Sequence, residues 1–110
     1  MNKKELIASY KQRPVTGGVF RIVNTKNNKY LLTSEIDLQG SRNRFDFSVS
    51  TGSCIHMKLQ KDWATFGEKV FIFEILEEME KKPDQELRAF KEDLKLLEEL
   101  WREKLNGDEY

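Results

Sequence analysis

From about Asp84 to Asn106, apolar residues recur every three or four positions: Leu87, Phe90, Leu94, Leu97, Trp101 and Leu105. At about 100° per residue they share one face, so the segment reads as one helix. Glu98 falls inside that face, among Leu94, Leu97, Trp101 and Leu105. A carboxylate seldom occupies a buried face unless it is paired, hydrogen-bonded or coordinating a cation. Glu98 is therefore the first candidate functional residue.

The remaining pattern gives the other elements. Asn2 to Gln12 reads as a short amphipathic helix with Leu6 and Tyr10 one turn apart, ended by Pro14 and Gly17-Gly18. Val19 to Val23 and Tyr30 to Thr33 are strands by composition, and the polar, Asn-rich Asn24 to Lys29 between them predicts a hairpin. Asp37 opens a helical segment in which Leu38, Phe45 and Val49 share a face flanked by Arg42 and Arg44. Gly52-Ser53 stops it. Ser53 is then placed to cap a second helix with Ile55, Leu59, Trp63 and Phe66 at helical spacing, closed by Gly67. Val70 to Leu76 is nearly all apolar, as in a strand covered on both faces, and Glu77 to Pro83 is a charged connector. The order α, β-hairpin, α, α, β, α predicts an α+β domain. Its small three-stranded antiparallel sheet is flanked by helices, with an extra N-terminal helix and a long C-terminal one.

A chain of 110 residues suits one domain with one core. No stretch approaches the roughly 18 apolar residues of a membrane span, and Met1 to Leu6 has no apolar signal region, so a cytoplasmic location is expected. The single cysteine, Cys54, allows no internal disulfide. With His56 it leaves too few soft ligands for zinc, so any metal is a hard cation held by oxygen. The zero net charge hides an asymmetry. Residues 1–70 carry 12 Lys or Arg against 6 Asp or Glu, and residues 71–110 carry 7 against 13. A basic front half permits a phosphate-binding face; an acidic solvated face on the last helix accounts for the rest.

The order of elements and several short motifs resemble the GIY-YIG nuclease superfamily. Gly18-Val19-Phe20 resembles the first tripeptide and Tyr30-Leu31-Leu32 the second, about ten residues on, with Ile22 to Lys29 similar to the family's hairpin turn. The likeness continues through Lys58 to Trp63, Phe66-Gly67 and Val70 to Glu78. It ends in Leu96 to Leu105, which resembles the helix carrying the family's metal-binding glutamate three residues before an aromatic; that spacing selects Glu98. The resemblance implies a domain over residues 17–106, with a helical extension at 1–16 and a tail at 107–110. It also implies DNA as substrate, phosphodiester hydrolysis and a Mg²⁺ or Mn²⁺ ion on Glu98. Tyr30 would assist proton transfer, and an arginine would stabilise phosphate charge.

The motifs depart from the family in ways that reduce activity. Phe20 lacks the first motif's hydroxyl, and Leu32 stands where the second motif has glycine. Counting back from Gly52 without a gap puts the family's arginine at Ser41 and its histidine at Phe45; Ile36 reads as a one-residue insertion, and Arg44 or Arg42 is then the replacement. Lys58 and Lys61 are candidate phosphate contacts, and His56 reads as a surface helix residue. For Glu98 the alternative is a carboxylate paired with Arg42, Arg44 or Lys95, or one turned to solvent. Two further functions stay open: a non-catalytic DNA-binding module, and a domain that binds a protein partner.

Overall fold

A computed structural model describes residues 15–110; the expected helix at Asn2 to Gln12 lies outside them. Strand β1 (Thr16–Asn24) turns into β2 (Tyr30–Glu35), and helix α1 spans Leu38–Thr51. A one-turn 3₁₀ helix (Met57–Leu59) leads into α2 (Gln60–Phe66). A second 3₁₀ turn (Glu68–Val70) leads into β3 (Phe71–Glu80), and α3 covers Leu87–Lys104. The sheet is antiparallel in the order β2-β1-β3, so β1 is central, and the third strand pairs with the hairpin as the sequence predicts.

Alternation along the strands divides the core into two layers. On one face Val19, Tyr30 and Leu32 pack with Val23, Leu76, the α3 residues Leu97 and Trp101, and Leu105 at its C-cap. On the other, Phe20, Ile22, Leu31 and Phe71 pack with Leu38, Phe45, Leu59 and Trp63 from the two shorter helices. Phe20 stacks on Phe73 and Trp63 on Phe71, with ring centroids 4.4 and 4.9 Å apart.

Local chemistry sets the helix ends. The Asp37 carboxylate accepts the Gly40 N–H at 3.0 Å and caps α1, and Gly52 closes it in the left-handed conformation at φ 76°. The second helix differs from expectation. Ser53 does not cap it and Ile55 is exposed, because the Trp63 indole N–H donates to the Gly52 carbonyl (3.0 Å) and holds residues 53–56 as a loop. His56 therefore lies in extended backbone ahead of the 3₁₀ turn, not on a helix. Strand β3 also differs. It runs through Glu80 at the sheet edge and leaves Ile72 and Ile75 exposed, because neither layer fully covers that edge: α3 packs chiefly over β2 and β1, and Ile75 faces an open cavity beside α1.

The Gly17-Gly18 pair is needed for close approach. A Cβ on Gly17 would lie 2.6 Å from the Glu35 carbonyl oxygen and 3.0 Å from a Leu94 methyl, and one on Gly18 would overlap the Glu77 carbonyl oxygen. The strand pairing shifts register one residue later, between Val19 and Phe20. Gly18→Ala must push β3 away from β1, an overpacking cost of about 2 kcal/mol. Urea unfolding should show that loss as a lower midpoint; an unchanged midpoint would mean the strands part without cost.

Candidate active site

Glu98 is buried, 4% exposed, on the face of α3 that meets β2. Its Oε1 accepts the Ser34 hydroxyl at 2.9 Å. Its Oε2 accepts Arg102 Nη2 at 3.1 Å and Lys95 Nζ at 3.4 Å. Lys95 is one of the partners expected from the sequence; Arg42 and Arg44 are not among the partners formed. Arg102 is one turn further along the same helix, an i,i+4 relation legible in the sequence but not singled out there.

An open cleft of about 390 Å³ lies along the outer edge of β2. It is lined by Glu98, Lys95 and Arg102 from α3, by His56 and Lys58 from the loop side, and by Glu109. Because β2 is an edge strand, this cleft collects residues from both layers. His56 is partly buried, and burial with the nearby Arg44 charge pushes its imidazole below the ordinary value of 6.5, so it is neutral at neutral pH.

The other candidates are dispersed. Arg42 pairs weakly with Asp46 (4.0 Å), lies over the Phe73 ring and lines a separate cavity with Asp37 and Glu78. Arg44 Nη2 donates to the buried Ser41 Oγ at 3.1 Å, so its guanidinium reaches back to the position where the resemblance expects an arginine. It does not itself line the Glu98 cleft; its charge is felt there through His56. Tyr30 is buried beneath α3, with Arg21 over its ring at 5.5 Å, on the face opposite Phe20. The neighbour that shares the Phe20 layer and also lines the cleft is Leu31. Lys58 lines the cleft, whereas Lys61 is exposed on α2 outside it.

Residues 107–110 complete the site, and no local signal in the sequence marks them for it. The Tyr30 N–H donates to the Asp108 carbonyl (3.0 Å) and the Tyr110 N–H to the Tyr30 carbonyl (2.8 Å), a parallel bridge on the free edge of β2. Arg102 Nε and Nη2 each donate to one Glu109 oxygen at 2.8 Å, and Nη1 donates to Glu99. The Tyr110 hydroxyl donates to Asp62 (2.6 Å) and accepts Asn24 Nδ2 (3.1 Å). The Arg102 bonds hold the Glu109 carboxyl below the ordinary range, helped by the Lys58 charge. The Tyr110 bond, with that of Asn27, does the same for Asp62, while burial and Asp62 push the Tyr110 hydroxyl up.

The fold is similar to two solved structures. One is the catalytic domain of intron endonuclease I-TevI in a variant with a glutamate replaced by alanine: TM-score 0.58, 27% identity, covering 83% of this chain and 84% of that chain. The other is the catalytic domain of homing endonuclease I-TevI: TM-score 0.57, 28% identity, covering 84% of this chain and 96% of that chain. No protein-family model and no curated protein matches the sequence. The α+β architecture expected from the GIY-YIG resemblance is thus the one observed.

The tail contacts set a pH window. Asp62 and Glu109 have depressed values, so their stabilisation is present above the ordinary 3.8 and 4.5 and is lost as pH falls through the lower folded values. Tyr110 is raised, so its contribution is complete below 10.0 and is lost as pH rises through the higher folded value. The Tyr110 amide resonance should hold its position from about pH 5 to about pH 10, and move toward a disordered shift only as pH falls through the depressed carboxylate values or rises through the raised tyrosine value. Movement centred on the ordinary carboxylate values would refute the pairing.

Proposed function

We propose that this chain, a nuclease-like domain with the fold of the GIY-YIG catalytic domain, hydrolyses DNA phosphodiester bonds slowly, with Glu98 at the centre of its chemistry. The observation that carries this reading is the buried Glu98 carboxylate opening onto a cleft whose other walls include Lys58, Lys95, Arg102 and a neutral His56. A charged phosphoryl transition state is stabilised by fixed cations and needs a proton acceptor near the attacking water.

The donor set suits a Mg²⁺ or Mn²⁺ ion that keeps most of its waters. Glu98 Oε1 has one donor, Ser34, and lone-pair capacity to spare, while Oε2 is taken by Lys95 and Arg102. Among the described residues no group of three His, Cys, Asp or Glu could hold a metal, so a bound ion would have Glu98 as its one carboxylate ligand and take water for the rest. When bound, such an ion supplies Lewis-acid polarisation of a phosphate oxygen. His56 takes the proton from water; Phe20 lacks a hydroxyl for that role, and Tyr30 does not line the cleft. Arg44 depresses His56 and adds positive charge behind it. Lys58 faces the DNA; exposed Lys61 lies on α2 outside the cleft, and Arg42, on a separate cavity beside β3, takes no part in this site.

Supercoiled plasmid at low salt with Mg²⁺ or Mn²⁺ tests this directly. Wild type should nick slowly, and Glu98→Ala or EDTA should abolish nicking. His56→Ala should cost about a hundredfold. Because the His56 value is lowered, the base stays neutral and activity persists below pH 6.5. A second reading, a DNA-binding module without catalysis, draws support from the Glu98 oxygen already saturated by two cations. Intact plasmid under all conditions, with salt-sensitive DNA binding retained, would replace the first reading with the second.

A further inference from the structure

An arginine that meets a carboxylate with two parallel N–H bonds presents the geometry with which it also grips a phosphate. Arg102 is engaged in this way with Glu109, at 2.8 Å for each bond. Unlike Glu98 and Glu99, which are on the same helix as Arg102, Glu109 comes from the short segment 107–110. That segment is held to β2 by two backbone hydrogen bonds and to α2 by the Tyr110 hydroxyl. Lys58 lines the same cleft and its charge acts on Glu109. Arg102 thus faces three carboxylates at once, and Glu109 alone of the three lies outside the helix, on a segment held by a few side-chain and backbone bonds. Its departure would expose a guanidinium edge and an ammonium together in an open cleft beside Glu98.

We propose that Arg102 and Lys58 form an anion site for a backbone phosphate of nucleic acid, and that Glu109 is its resident occupant, displaced when segment 107–110 lifts from β2. The site rests on the DNA-directed reading above. It places the phosphate-binding cation on α3, where neither arginine of α1 lines the cleft. A carboxylate on segment 107–110 then sets how readily substrate enters.

The test titrates the full chain with inorganic phosphate and, separately, with a short DNA duplex, observed by NMR at Arg102 Nε–Hε and at the Tyr30, Lys58 and Tyr110 amides. In wild type, phosphate should shift the Arg102 resonance and speed hydrogen exchange at the Tyr30 and Tyr110 amides, a measurement that needs no variant. Glu109→Gln should bind both probes about tenfold more tightly, since no docked competitor reduces the competent fraction. Arg102→Gln should lose the response at Lys58. An Arg102 resonance indifferent to phosphate, or duplex binding unchanged in Glu109→Gln, would overturn the proposal. Binding controlled by Glu109 in a protein that never nicks plasmid would support this site and sink only the catalytic reading.

Discussion

Strand β1 is hydrogen-bonded along both edges and covered on both faces, and the rest of the molecule is arranged around that demand. A central strand must have its polar backbone paired on two sides and its alternating side chains buried in two layers. Val19 at 0% exposure on one face and Phe20 and Ile22 on the other meet this requirement. Gly17 and Gly18 let the neighbouring strands and α3 close against the backbone. Two helical layers follow, because one layer would leave one of those faces wet.

The same constraint leaves β2 with a free edge, and the candidate site forms there. Only at such an edge can a carboxylate from α3 and side chains from the loop after α1 meet without passing through the core. Alternation splits β2 between the two layers, and the cleft takes residues from both, Leu32 from the α3 side and Leu31 from the other. One step along β2 separates Tyr30, beneath α3, from Leu31, in the other layer and against the cleft. Tyr30, whose hydroxyl the family resemblance would use for proton transfer, is not among the residues lining the cleft, whereas His56 is. The Glu98 carboxylate is tolerated in its buried position because three donors satisfy it, a condition that also limits how freely it accepts a metal.

Arg102 links that site to the tail. A single guanidinium spread over Glu98, Glu99 and Glu109 ties the helix to segment 107–110, and Tyr110 ties the segment to α2 through Asp62. The edge of β2 is thus closed by a short parallel bridge instead of another full strand. Such a closure protects the edge with few bonds, and few bonds are easily exchanged for others.

Periodicity and turn chemistry in the sequence sufficed for the hairpin, for α1 with its Asp37 and Gly52 ends, for the apolar stripe of α3 and for the anomaly of Glu98 within it. Each of these depends on residues a few positions apart. They were less reliable where a distant bond intervened: the Trp63–Gly52 contact turned an expected helix start into a loop and placed His56 in the cleft. Strand β3 looked two-sided in composition, yet helix placement left Ile72 and Ile75 exposed. The partners of Glu98, the separation of Arg42 from Arg44, the layer occupied by Tyr30 and the Arg102–Glu109 grip were decided only by tertiary structure. All of these follow from which face and which edge of the sheet each segment meets, and that is set by packing between residues far apart in the chain.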